Sequence, residues 1–211
     1  MFNMAIDQNQ ITGLLLAGGK GSRMSFADKP LFKLGNKTII QWVLSEAKQH
    51  ARKFFINVNR NSEKYEHLGL PLLPDLPMAQ AGPLVGIHSG MEFISKDQNL
   101  YLPHFLLCLP GDVPFFPKDL IPNLLIEMNN NPCDVVFTKV EGQIEPLFSL
   151  WSYSARTRIC DAVENGLYGP RQIFPLLNTK TLLMRTNSQL DFLNINTKED
   201  LALARKLMKT H

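Results

Sequence analysis

Apolar residues fall in short runs that stop abruptly at glycine, proline or polar residues, and between the runs they recur at helical spacing. Residues 11–17 form the first run and end at Gly18, as a buried strand does on leaving a sheet. Residues 53–59 read as a second strand with a polar end, and Pro71-Leu72-Leu73 as a short third just before Asp75. Residues 105–109 are the most apolar strand and stop at Pro110-Gly111-Asp112. Further strands are expected over 134–140, 145–151 and 181–185. Between them Ile39, Ile40, Val43, Leu44 and Ala47 repeat at helical spacing behind Thr38 as N-cap. Gly82-Pro83 opens a helix through Val85, Ile87, Met91 and Phe93, with proline in the first turn where no N–H is needed. Helices are also expected over 118–128, 154–164 and 171–177, and a last one behind Thr197 and Asp200, spaced as a capping box.

Strands that alternate with helices predict an α/β fold, a mainly parallel sheet covered on both faces. In such folds ligands lie at the carboxyl ends of the strands, where the polar residues accumulate here. The 211 residues suit one domain, expected over 11–211, behind a polar and flexible N-terminal segment at 1–10. That segment lacks the apolar and basic regions of a leader, and no window approaches the ~20 apolar residues of a membrane helix. A cytoplasmic protein with no membrane partner is expected.

Composition changes this picture little. Hydrophobic content of 45% with 19% charged residues is ordinary for a globular chain. A net charge of +3 is compatible with an anionic small molecule and gives no case for nucleic acid. Cys108, Cys133 and Cys160 are odd in number and widely spaced, which suggests neither a disulfide framework nor a zinc site. The five histidines have no ligand spacing.

Candidate chemistry concentrates after the first strand. Gly18, Gly19 and Gly21 let a ligand lie against the backbone, and successive N–H groups in such a loop form a concavity for an anion. Ser22 adds a hydroxyl, and Lys20, Arg23 and Lys29 add positive charge, so the stretch describes a cradle for a nucleotide with its phosphates. It is not a P-loop, because Lys20 is followed by Gly21 and Leu14 stands where the first glycine belongs. The dinucleotide fingerprint G-x-G-x-x-G fits Gly19 and Gly21 but fails at Met24. Asp112, behind a strand too apolar for a sheet edge, should stand at the ligand face, where a carboxylate can hold Mg²⁺. Lys29 and Arg23 can meet phosphate, the one as a mobile point charge and the other as a bidentate fork.

The run Leu16-Ala17-Gly18-Gly19-x-x-Ser22-Arg23-Met24, followed by Asp28-Lys29, resembles the opening signature of nucleotidyltransferases that activate a phosphorylated acceptor. Leu109-Pro110-Gly111-Asp112-Val113-Pro114 and Asn194-Ile195-Asn196-Thr197 extend the likeness over roughly residues 11–206, and make it most similar to the MobA-like, molybdenum cofactor guanylyltransferase branch. The resemblance implies a three-layer α/β/α, Rossmann-like nucleotidyltransferase fold. It implies transfer of GMP from GTP to molybdenum-molybdopterin with Mg²⁺ as cofactor and release of pyrophosphate. Partners would be those two substrates and the proteins that deliver molybdopterin or mature molybdoenzymes, and the chain would be a monomer.

Carried over residue by residue, the resemblance gives Lys29, Arg23 and Asp112 catalytic roles and makes Asp112 the metal ligand. Leu16, Ala17, Gly18, Gly19, Lys29, Asn57, Asp75 and Asp112 would bind the nucleotide, with Asn57 and Asp75 at the guanine edge. Asn194, Asn196 and Arg171 would bind the acceptor, with Glu145 and the Gly169-Pro170 turn on the same side. Departures from the family pattern are small: Gly111 where cysteine is common, Val113 for threonine, Pro30 for glycine, and one arginine at 171 where a pair is usual. Cytidylyltransferases of the same cofactor and sugar-phosphate nucleotidyltransferases share the loop but commonly carry alanine at the Gly18 position, and Gly18 leaves room for guanine. A nucleotide-binding module without catalysis would lack the metal carboxylate or the acceptor side, and both are present.

Overall fold

The computed structural model describes residues 5–17, 28–78, 80–97 and 104–208. Its strands are β1 (Ile11–Leu16), β2 (Lys33–Leu34), β3 (Lys37–Thr38), β4 (Lys53–Asn57), β5 (Leu72–Leu73), β6 (Phe105–Pro110), β7 (Val135–Val140), β8 (Gln143–Ser152) and β9 (Thr179–Met184). Its helices are α1 (Ile39–Ala47), α2 (Pro83–Ser95), α3 (Leu120–Asn130), α4 (Arg156–Glu164), α5 (Pro170–Ile173) and α6 (Lys198–Leu207). The main sheet runs β5-β4-β1-β6-β8-β7-β9, and β2 and β3 form a separate hairpin. All of these main-sheet strands point one way except β8, which is antiparallel to both neighbours. From β1 the chain builds outward through β4 to β5, then returns through α2 to β6 on the other side of β1. The order reverses between β1 and β6, which opens a crevice at their carboxyl ends.

Alternation along β1 divides the core. Ile11 and Leu15 pack with α1 and α3, and Leu14 and Leu16 pack with α2 and α4. A third, small cluster joins Leu34 and Ile39 to Leu190, Ile195 and Ala204. It seats the 190–195 segment and α6 on the β2–β3 hairpin, beside the mouth of the crevice. No helix among the described residues is long and apolar enough to cross a membrane.

The expected elements are present, with differences of local origin. The helix expected over 171–177 is the short α5 followed by a 3₁₀ turn at Phe174–Leu176, because Pro175 has no N–H to continue it. The helix expected from 154 begins as a 3₁₀ turn at Tyr153–Ala155. Gln8–Gln10, within the segment expected to be flexible, forms a capped 3₁₀ turn whose Gln8 carbonyl accepts from the Arg52 N–H at 3.1 Å. At α1 only half of a capping box forms: the Thr38 N–H donates to Gln41 Oε1 at 2.8 Å, while Thr38 Oγ1 has no partner among the described residues. Thr197 and Asp200 do form the reciprocal box at α6.

Antiparallel β8 slips against β7 between Phe137 and Thr138, so that its register jumps from Ser149 to Glu145. The slip falls at Pro146, which cannot donate to a ladder. It turns Phe148 into contact with Phe116 and Phe192, ring centroids 5.4 and 5.1 Å apart, beneath the 190–195 segment.

Helix α2 comes unusually near β1 and β4 because Gly86 has no side chain. A Cβ there would stand 2.5 Å from Asn57 Oδ1 and 2.7 Å from Leu16 Cδ2. Gly86→Ala is therefore expected to destabilise by about 1–3 kcal/mol, as overpacking does, although alanine in an open helix position would gain about 1 kcal/mol. Thermal unfolding would register this as a melting point lower by several degrees. An unchanged or higher value would refute the close approach.

Candidate active site

The first strand is gripped up to its last residue. The Ala17 N–H donates to the Asn57 carbonyl, and the Gly111 N–H donates to the Leu16 carbonyl, both at 2.9 Å. A Cβ on Gly111 would stand 3.1 Å from that same Leu16 oxygen, so a small residue suits the join. Leu16 is buried and Ala17 half-buried at the point where the glycine loop begins. Residues 18–27, with Gly18, Gly19, Lys20, Gly21, Ser22 and Arg23, lie outside the described residues.

Lys29, in a 3₁₀ turn with Pro30, reaches across the crevice: its Nζ donates to Asn196 Oδ1 at 2.7 Å. One residue earlier in that same segment, the Ile195 N–H donates to the Asp112 carbonyl at 3.2 Å. Lys29, Asp112 and Asn196, drawn from three distant parts of the chain, thus meet at the carboxyl ends of β1 and β6. Asn194 stands exposed on the same segment. Upstream, Phe192 sits at φ 61, a left-handed conformation that bulky residues rarely adopt. Its N–H on the Phe115 carbonyl at 2.9 Å and its ring edge-on to Phe148 hold it there.

Two acids that feel the charge of Lys29 are served differently. Burial pushes the half-buried Asp112 carboxyl above its ordinary value, against its own backbone N–H and the charge of Lys29. Burial also works to raise Asp200, but the N–H groups of Asn196 and Thr197, the Thr197 hydroxyl and Lys29 outweigh it and hold Asp200 below the usual range. No group of three or more His, Cys, Asp or Glu converges among the described residues. A single desolvated carboxylate at the end of β6 suits a hard divalent cation that completes its shell with water and ligand oxygens.

Asn57 is only 2% exposed, and its amide donates to the Leu73 carbonyl at 3.1 Å and to Asp75 Oδ1 at 2.9 Å. Both N–H groups are spent, so Asn57 has no amide donor left to offer a ligand. Asn59, not singled out by sequence, completes the frame: its Nδ2 donates to Asp75 Oδ2 at 2.8 Å, and its Oδ1 accepts from the Asp75 N–H at 2.6 Å. The signal available was the period-2 spacing of Asn57 and Asn59, which puts both on one side of an extended segment.

Arg171 is exposed at the far side of the crevice and donates to the Ile144 carbonyl of β8. Its charge opposes the burial that raises the Glu145 carboxyl. The Gly169-Pro170 turn also packs against the start of α2: the Leu84 N–H donates to the Tyr168 carbonyl at 3.0 Å, and a Cβ on Gly82 would overlap that oxygen. Because β8 runs antiparallel, its first residues lie at the ligand edge, so Glu145 and Arg171 flank the same crevice as Asp112 without touching it.

Comparison with known proteins bears on this site. A molybdenum cofactor guanylyltransferase of Yersinia pseudotuberculosis is 30% identical over 193 residues, covering 92% of this chain and 94% of that protein. The crystal structure of molybdopterin-guanine dinucleotide biosynthesis protein A from Archaeoglobus fulgidus superposes with a TM-score of 0.73 at 22% identity, covering 95% of this chain and all of that one. The manganese complex of Rv0371C from Mycobacterium tuberculosis shares the fold at a TM-score of 0.64 and 14% identity, covering 95% of this chain and 100% of that one. The family described as the MobA-like NTP transferase domain matches residues 13–181, from within the first strand into the ninth, and the chain belongs to that family.

Proposed function

We propose that this chain transfers GMP from GTP to molybdenum-molybdopterin, forming molybdopterin guanine dinucleotide and releasing pyrophosphate. The observation that supports this reading best is the bond from Lys29 to Asn196 beside Asp112, which joins a nucleotide-side cation to an acceptor-side amide at the crevice. Leu16, Ala17, Gly18 and Gly19 would carry the nucleotide along the end of β1. Asp75, framed by Asn57 and Asn59, would accept from guanine N–H groups with the lone pairs those amides leave free. Arg23 and Lys29 would meet the triphosphate, and Asn194, Asn196 and Arg171 the pterin phosphate.

An oxygen of the acceptor phosphate attacks the α-phosphorus of GTP. The new P–O bond forms as the bond to the β-phosphate breaks, and pyrophosphate departs with the electron pair. The protein supplies position and charge, and no covalent intermediate with it is needed. Lys29, a point charge on a flexible stem, can follow the phosphates as charge moves to the leaving group. Asp112 would hold Mg²⁺, which when bound neutralises charge on the triphosphate and on pyrophosphate.

The direct test is pyrophosphate release with Mg²⁺ from GTP and from CTP, with and without molybdenum-loaded molybdopterin. Release from GTP that depends on the pterin is the expected result. A preference for CTP would overturn the base assignment, and no release with either would overturn the reaction.

Two consequences concern Asp112. Asp112→Ala is expected to lower kcat on the order of 10²-fold or more, the size of losing a principal electrostatic stabiliser, and undiminished turnover would remove it from the mechanism. Stability without metal should move the other way. Since burial raises the carboxyl, the folded state keeps a proton that the unfolded chain has lost, so this group's contribution falls as pH rises from the ordinary carboxylate range through the raised value. Melting curves in chelator should show Asp112→Asn gaining on the parent across that window. A difference independent of pH would mean that the carboxyl is not desolvated.

A further inference from the structure

The residue before Lys29 is held in a clamp. Asn61 Nδ2 donates to both carboxylate oxygens of Asp28 at 3.2 Å, and Lys64 Nζ donates to Oδ2 at 2.6 Å. The Asp28 side chain is 13% exposed and that of Lys64 50%, so the ion pair is closed on the aspartate's side and open to water on the other. Asn61 and Lys64 belong to one element, a 3₁₀ helix over Ser62–Leu68 whose N-cap is Asn61. Tyr65, the buried residue of that helix, lies close enough to feel both acids: burial raises its hydroxyl first, and the charges of Asp28 and Asp112 raise it further. The helix therefore touches Asp28 with two side chains and stands within electrostatic reach of Asp112.

Two features show that this arrangement is specified rather than incidental. Asn61 adopts φ 51 and ψ 37, a left-handed conformation that asparagine tolerates better than most residues, and it is this residue that reaches Asp28. Asp28 is the N-cap of the turn that begins at Lys29, yet it makes no side-chain cap bond there. An aspartate at such a place ordinarily serves the N–H groups of its own turn. Here both oxygens are taken by donors more than 30 residues away, and the charge is met by Lys64.

We propose that Asp28 is a positioning residue for the transfer reaction. Anchored on Asn61 and Lys64, its carboxylate fixes the backbone from which Lys29 reaches the phosphates. A lysine has many rotamers, and a fixed root restricts the volume its ammonium samples, which matters because small misplacements of a charged group are costly in the transition state. The inference rests on the guanylyltransferase reading for the role of Lys29 and goes beyond it in naming what sets that lysine.

A double-variant cycle on kcat for pyrophosphate release decides it. Lys29→Ala is expected to lower kcat about 100-fold and Asp28→Ala about 10-fold, while the double variant falls within about twofold of Lys29→Ala alone. A purely structural role would lower kcat by a similar factor in both backgrounds, and that result would overturn the proposal, as would an Asp28→Ala enzyme with unchanged kcat. If Asp28→Ala does not fold, Lys64→Ala replaces it, since half of that side chain is in water. Its expected loss is about threefold and should vanish in the Lys29→Ala background, and additive losses overturn the proposal equally. If the parent prefers CTP, the base assignment falls and the cycle, run with CTP, still decides the role of Asp28. An undiminished Lys29→Ala enzyme, or a parent that transfers no nucleotide, overturns this inference together with the assignment of Lys29.

Discussion

Complete burial of β1 is the constraint on which the rest depends. All six of its residues are buried, parallel neighbours pair with it on both edges, and its side chains feed the cores on both faces. Its peptide groups have no need of any other partner until the chain passes Leu16, where the neighbouring strands still clasp the join. Polar groups free to meet a ligand can therefore appear only beyond the carboxyl ends of β1, β4 and β6. The ends of those strands bring Ala17, Asn57 and Asp112 to one edge, and the reversal of strand order separates the chain there into a crevice.

Within the crevice, the unequal treatment of two carboxylates is more informative than their presence. Asp200 accepts the N–H groups of Asn196 and Thr197 just ahead of α6 and is held below the usual range as the returning half of an ordinary capping box. Asp112 is drawn into a desolvated place with fewer donors to repay it. Perturbation of this kind gathers where a charge is kept for a ligand rather than for the fold. Lys29 acts on both acids, so its ammonium stands between the part of the molecule that is finished and the part that is not.

Most of the architecture was legible in the sequence because its strands are short apolar runs with abrupt polar ends, and a parallel sheet buried on both faces demands that pattern. Asp112 was legible for the same reason: nothing as apolar as residues 105–109 belongs at an edge. The reversed direction of β8 was not, since a run of alternating residues carries no record of which way it pairs. Nor was the 3₁₀ helix at Ser62–Leu68, which buries Tyr65 alone and so shows no period. Asn57 illustrates a third limit. Its position at the strand end was readable, but that both amide donors are spent on Leu73 and Asp75 depends on a strand that returns sixteen residues later. Arg171 likewise met a carbonyl of β8 that only the fold brings near.

The bond between Lys29 and Asn196 spans 167 positions of sequence, and few others tie the two flanks of the crevice so directly. The residues proposed for the nucleotide come from positions up to Asp112, and those proposed for the acceptor from β8 onward. The two proposed tasks thus fall in consecutive blocks of sequence, joined at the crevice by a few side chains and at the periphery by the small cluster around Ile39 and Ile195. A scaffold divided in this way can trade one acceptor for another by altering its second block while the phosphate machinery in the first is left intact. Diversification of such a chain needs no redesign of its core, only a new surface facing an old one.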